Sequence, residues 1–240
     1  IDEVKRPIGR ARETVKLNLD PALQARQKNI EYTTSFNLPP GKYHLKFVVR
    51  ENQTGRMGSF EADITLPDMK KQPLKMSSIV LASARQPSKQ TSPLVRSGEE
   101  YIPNISQVFR QDQHLYLLYE VYGPAKEKLA DGQPKGTKAG INLLSSLELL
   151  QGSTKVYETP LVQAKAVNVA GRDAVAVELD VPLSALKVGS YLCQLNVIDD
   201  AGGSFAFPRF AVLVREPAAN AAPTVPALPA SAGAGTPGTK

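Results

Sequence analysis

The sequence predicts an all-β protein, and three observations carry that prediction. Val, Leu, Ile, Tyr and Phe gather in short runs broken by 19 prolines and 17 glycines, with no tryptophan in 240 residues. Such punctuation suits many short strands rather than long helices. The stretch GKYHLKFVVRE at 41–51 alternates apolar and polar residues, which is the period of a half-buried strand. A similar phrase, VGSYLCQLNVIDDAGG, returns at 188–203.

With Gly41 placed on Gly189 the two phrases align without a gap. Tyr43 falls on Tyr191, Leu45 on Cys193, Phe47 on Leu195, Val49 on Val197 and Glu51 on Asp199. The alternation predicts that these Tyr, Leu/Cys, Phe/Leu and Val positions face inward. Each strand runs into a polar, Gly-containing turn, NQTGRMG or DAGG, and a return strand follows, GSFEADITL or GSFAFPRFAVLV. Each copy therefore ends in a β-hairpin.

Around the first hairpin, residues 1–66 offer two more strands, ETVKLNL at 13–19 and NIEYTTSF at 29–36. DPALQARQK joins them, and there Asp20 could cap one helical turn that has Pro21 at its first position. Four strands make half a sandwich, so a partner strand or an upstream domain is expected to complete this unit. The chain begins IDEV, which reads as a fragment or a processed product. PDMKKQPLKM at 67–76 reads as a stiff linker. The second unit, 77–215, holds strands at 77–83, 102–109, 114–122, 144–151, 153–167 and 173–182 before its hairpin, with an exposed loop at 123–140. The Ala/Pro-rich segment 216–240 reads as a disordered tail.

A proline or leucine corner precedes each aligned glycine, LPPG in one copy and VPLSALKVG in the other. The layout resembles the tyrosine corner of immunoglobulin-like sandwiches, with Tyr43 and Tyr191 as the corner residues and Cys193 two positions later at a core site. Cys193 is the only cysteine and its counterpart is Leu45, so a buried thiol is expected rather than a disulfide or a metal ligand. The fold expected is a tandem of immunoglobulin-like β-sandwiches, the first incomplete.

The phrases LPPGKYHLKFVVRENQTGRMGSFEADITLPD, PLKMSSIVLAS, YIPNISQVFRQDQHLYLLYEVY, VYETPLV and SYLCQLNVIDDAGGSFAFPRFAVLV resemble the C-terminal β-rich region of acidobacterial proteins related to the von Willebrand factor A domain. The likeness runs from about residue 13 to residue 215. It implies that a signal peptide and a metal-binding A domain precede this region and that the protein lies outside the cytoplasm or in the cell envelope. No Asp-x-Ser-x-Ser metal-adhesion motif occurs in the chain, so no metal ligand is carried over.

The residues point away from chemistry and from several partner classes. The formal charge of +6 is scattered and forms no block beyond KRPIGRAR at 5–12, which argues against a nucleic-acid partner. No apolar run approaches the roughly 18 residues of a membrane-spanning helix. His44 and His114 are both expected on the surface, and no nucleophile elbow, phosphate loop, zinc motif or dinucleotide fingerprint is present. The pairs Glu99-Glu100 and Asp199-Asp200 are strand or turn neighbours whose side chains diverge. Asp199 to Gly203 reads as a turn rather than a calcium loop. Asn52 and Asn104 match the glycosylation pattern and are expected to be unmodified. No catalytic residue, cofactor or metal is expected.

The function expected is a non-catalytic, secreted or envelope-associated spacer or protein-binding scaffold, with loops 84–100 and 123–140 as candidate surfaces. One alternative is an accessory carbohydrate-binding domain of a secreted hydrolase, with at least one of Tyr116, Tyr119 and Tyr122 exposed. The other is a structural subunit completed by strand donation.

Overall fold

A computed structural model describes residues 1, 6–12, 14, 34, 36–89, 92, 94–129 and 139–217. The chain divides into two units, Ile1–Pro73 and Leu74–Lys240, and the division falls inside the segment expected to link them. Among the described residues the protein is all-β: its only helices are two single 3₁₀ turns, Met69–Lys71 and Leu183–Ala185.

In the first unit, β1 (Gly41–Arg50) and β2 (Met57–Leu66) form an antiparallel hairpin. Its register puts Tyr43, Leu45, Phe47 and Val49 opposite Ile64, Ala62, Phe60 and Gly58, and Lys42, His44 and Lys46 opposite Thr65, Asp63 and Glu61. The hairpin is thus amphipathic, as the alternation predicts. The expected burial of its apolar face is not what the structure has: Tyr43 is buried, but Leu45, Phe47 and Val49 are 38%, 41% and 53% exposed. The physical reason is that one two-stranded layer cannot bury a face without a second layer against it. The strands expected at 13–19 and 29–36 fall outside the described residues apart from Thr14, Thr34 and Phe36, and so does the turn with Asp20 and Pro21.

The second unit opens with β3 (Val80–Pro87), β4 (Val95–Arg96), β5 (Glu99–Pro103), β6 (Val108–Arg110) and β7 (His114–Tyr122). It continues with β8 (Leu143–Gln151), β9 (Thr154–Glu158), β10 (Val162–Ala164), β11 (Ala174–Pro182), β12 (Gly189–Asp199), β13 (Ser204–Ala206) and β14 (Arg209–Arg215). One sheet has the order β11-β7-β3-β5-β4. The other has the order β10-β8-β12-β14-β6, with β9 on β8 and β13 on β12. The pairing of β6 with β14 is parallel, and every other pairing is antiparallel.

Both sheets turn alternate residues into one core. Leu115, Leu117, Tyr119 and Val121 of β7 join Leu143, Leu147 and Leu149 of β8 and Tyr191, Cys193, Leu195 and Val197 of β12. Full burial of each such aliphatic side chain stabilises by about 1.5–3 kcal/mol. The buried Tyr119 hydroxyl donates to Ser145 Oγ at 2.6 Å, which links β7 to β8 through the core. Leu74 also lies in this core, and Met76 bridges to Val121, so the last part of the expected linker packs with the second unit.

Three expected strands are interrupted. Residues 153–167 divide into β9 and β10 around Pro160. The return strand divides into β13 and β14 around Pro208, and 102–109 divides at the turn around Asn104. Proline has no N–H to give a ladder, so pairing breaks where it falls. The outer edge of β11 is closed at its start by Asn168, whose Oδ1 accepts the Ala176 N–H at 2.7 Å and whose Nδ2 donates to the Ala176 carbonyl at 2.9 Å.

Candidate functional site

The two proline interruptions lie on strands flanking the central β8–β12 pair, and they shape its outer surface. Gln194, Asn196 and Ile198 of β12 stand beside Glu148, Ser146 and Leu144 of β8 on the face away from the core. Next to Pro160, Leu161 is 63% exposed on one side. On the other, Pro208 takes the Leu195 N–H on its carbonyl at 3.0 Å, and the chain before it carries Phe205 and Phe207, 60% and 47% exposed. Ala206 between them packs against the core, so both rings project outward. They stack with centroids 5.3 Å apart and planes 26° from parallel.

The result is a groove of about 340 Å³ with Leu161 and Phe207 as walls and Leu144, Ser146, Gln194 and Asn196 among its floor residues. That volume lies at the small end of the range for ligand sites, roughly 300–1,000 Å³. A directed hydrogen-bond chain crosses the floor. Arg209 Nε donates to Gln194 Oε1 at 2.8 Å, Gln194 Nε2 to Asn196 Oδ1 at 2.9 Å, and Asn196 Nδ2 to Ser146 Oγ at 3.2 Å. Each amide NH₂ spends one of its two N–H donors in the chain, and the Ser146 hydroxyl accepts there, keeping its own proton to donate. The floor therefore offers neutral donors and acceptors beside an exposed aromatic pair.

The sequence matches no model of a known protein family and no curated protein.

The residues singled out from the sequence lie elsewhere and have structural partners. Tyr43 donates to the Pro39 carbonyl at 2.6 Å, and Tyr191 to the Lys187 carbonyl at 2.6 Å. Cys193 is fully buried, and burial pushes its thiol up to about 12, far from a reactive thiolate. His44 is exposed between Asp63 (2.8 Å) and Glu61 (3.1 Å), and His114 is exposed beside Asp180 (2.5 Å). The adjacent carboxylates diverge: Glu99 pairs with Arg85 at 2.9 Å, whereas Glu100 accepts from Gln86 at 3.3 Å. Asp199 is buried and accepts the backbone N–H of Ala125 at 2.8 Å and of Gly202 at 3.3 Å, while Asp200 accepts from Asn142 at 2.8 Å. Asn52 lies in the β1–β2 turn. Asn104 is tied into its own turn, donating to the Val108 carbonyl at 2.8 Å. Among the described residues no group of three or more His, Cys, Asp or Glu is placed to hold a metal, and no helix is long and apolar enough to cross a membrane.

The tyrosines considered for a sugar platform do not form one. Tyr116 and Tyr119 are buried and Tyr122 is half-buried. Tyr116 packs edge-on to Tyr101, parallel to His114 and under the Arg85 guanidinium 5.3 Å away. Tyr101 in turn donates to Glu178. This face of the five-stranded sheet is a closed network. The loop expected at 84–100 is largely strand, ending β3 at Pro87 and holding β4 and the start of β5, because Arg85 and its neighbours pair with β5; Arg85 there bonds Glu99, and in the 123–129 segment Lys126 bonds Asp173, at 2.9 Å each. Alternation in FAFPRF marks Phe205 and Phe207 as one face, but sequence reasoning placed that face inside a continuous strand.

Proposed function

We propose that the chain is a non-catalytic, secreted or envelope-associated module of tandem immunoglobulin-like β-sandwiches, whose second unit holds a ligand on the outer face of β8 and β12. The observation that carries this is the groove: two stacked phenylalanines left in water beside a polar floor, on strands held rigid by the core. Exposed apolar groups grouped with convergent polar ones mark binding surfaces. Immunoglobulin-like topology is supported by the pairing of β7 with β11, of β8 with β12 and β12 with β14, and by the parallel β6 on β14. The location, and the place beside a von Willebrand A-like domain, rest on the resemblance alone.

The test is retention of the purified chain on the envelope fraction of its source cells, wild type against Phe205→Ser/Phe207→Ser. Loss of retention in the variant is expected, and equal retention by the two proteins overturns the reading.

A second reading, a structural subunit completed by a donated strand, draws on the first unit. There a two-stranded hairpin exposes Leu45, Val49 and Phe60. Sedimentation that shows a monomer at high concentration rejects it.

A further inference from the structure

We infer that the ligand of the β8–β12 groove is a neutral saccharide, held with a sugar ring against Phe207 and its hydroxyls on Gln194, Asn196 and Ser146. The inference rests on the binding-module reading above and names its ligand class. Three features of the groove select this chemistry.

The first is the floor. Its hydrogen-bonding groups are two primary amides and a hydroxyl, and each can both donate and accept. A sugar hydroxyl does the same, so it can enter such a chain at any point. Ser146 is 6% exposed, and Asn196 occupies its acceptor oxygen, so its proton remains for a ligand acceptor at the bottom of the groove. An apolar peptide side chain placed here would strip water from Gln194 and Asn196 and return nothing, a cost that disfavours it.

The second is the wall. Phe205 and Phe207 present flat carbon surfaces with no polar atom of their own. A pyranose has one face lined by C–H groups, and that face can lie on an aromatic ring while the equatorial hydroxyls point sideways to the amides.

The third is charge. The six residues Leu144, Ser146, Leu161, Gln194, Asn196 and Phe207 carry none; Arg209 borders them through the Nε–H it donates to Gln194 at 2.8 Å, and Glu148, opposite Gln194 on β8, pairs with Lys155 at 3.6 Å. The charges at the margin are of both signs, so they favour neither an anionic nor a cationic ligand. A main-chain strand would find no ladder, because β8 and β12 are already paired with each other across this floor.

The test titrates the full chain with neutral oligosaccharides, namely cellohexaose, xylohexaose, maltohexaose and chitohexaose, by calorimetry. It compares wild type, Phe207→Ala, Asn196→Ala and Leu192→Ser, the last being an exposed residue on the same face but outside the groove lining. The expected result is binding of at least one oligosaccharide, with Kd raised at least about tenfold in Phe207→Ala and in Asn196→Ala and unchanged in Leu192→Ser. The Phe207 and Leu192 side chains are solvent-exposed, so those variants keep the fold. Binding unaffected by both groove substitutions overturns the site. If no oligosaccharide binds while envelope retention still depends on Phe205 and Phe207 and is abolished by protease treatment of the envelope, the ligand is a protein. That outcome overturns the saccharide and leaves the module reading standing. Absence of both oligosaccharide binding and Phe-dependent retention overturns both.

Discussion

Tyr43 and Tyr191 make the same hydrogen bond in the two units: each hydroxyl donates to the carbonyl four residues upstream, Pro39 or Lys187, at 2.6 Å. Each follows by two residues a glycine of similar, unusual backbone, Gly41 with φ 158° and Gly189 with φ 152°. The repeat in sequence is therefore a repeat of strand entry. Tyr191→Phe should destabilise the second unit by about 1 kcal/mol, the net worth of one such bond. Gly189→Ala should cost more, about 1–3 kcal/mol, because it combines backbone strain with a new Cβ 3.0 Å from Gln151 Nε2. Urea unfolding of each variant measures both. A Gly189→Ala protein as stable as wild type would rule out the strain.

Glu120 on β7 ties down the edge strand β4 and the loop that precedes β11. Its side chain, 8% exposed, pairs with Arg96 at 2.8 Å and with Arg172 at 3.1 Å. Glu120→Gln should remove about 1–3 kcal/mol, below the cost of breaking a fully buried pair because Arg172 is half in solvent. Hydrogen exchange should accelerate at 94–98 and 168–173 before it does in β7 or β11. Uniform acceleration across the unit would contradict local tethering.

Cys193 should be silent to thiol reagents in the folded protein. Its thiol lies among the core residues of β12, and burial raises it to about 12, so almost no thiolate exists at pH 8. Modification by a chromogenic disulfide should be absent in buffer and stoichiometric in denaturant. Prompt reaction of the native protein would place the thiol outside the core.

His44 gives the first hairpin a pH response of defined sign. Hydrogen bonds that its ring donates to Asp63 and then to Glu61 raise its pKa above the ordinary value near 6.5. The stabilisation is therefore fully present below that value and is lost as pH rises through the folded-state pKa. Glu61 is lowered, chiefly by Lys46, and its contribution is lost as pH falls through its own folded-state value. The polar face of the hairpin is strongest between the two. An NMR titration should place the His44 midpoint above 6.5, and Asp63→Asn should bring it down. An unchanged midpoint in that variant would show that the pair does not form in solution.

The strands that run without interruption were legible in the sequence. β7 spans the expected 114–122, an apolar run buried from 115 to 121 on both faces, and β8, β11 and β12 begin and end within about a residue of the runs that predict them; in β11 and β12 a period of two marks the buried face. Alternation says which side chains share a face, not what covers that face. Hence Leu45, Phe47 and Val49 read as core, although the described hairpin leaves them exposed. The same limit hid the groove. Gln194 and Asn196 read as ordinary outward positions of a core strand, and only the pairing of β8 with β12 brings them beside Ser146. Pro160 and Pro208 were the visible signals. A proline within an apolar run marks a break in pairing, and here each break leaves a wall standing.

Asn168 has a consequence for self-association. Its side-chain amide meets both polar groups of the Ala176 backbone on the open border of β11, so one residue imitates the neighbouring strand that a second molecule would otherwise supply. A foreign strand can add there only after evicting this mimic and leaving the carboxamide to find new partners. The start of this border is thus plugged from within the same chain, which removes one place where an open sheet margin would recruit copies of the protein.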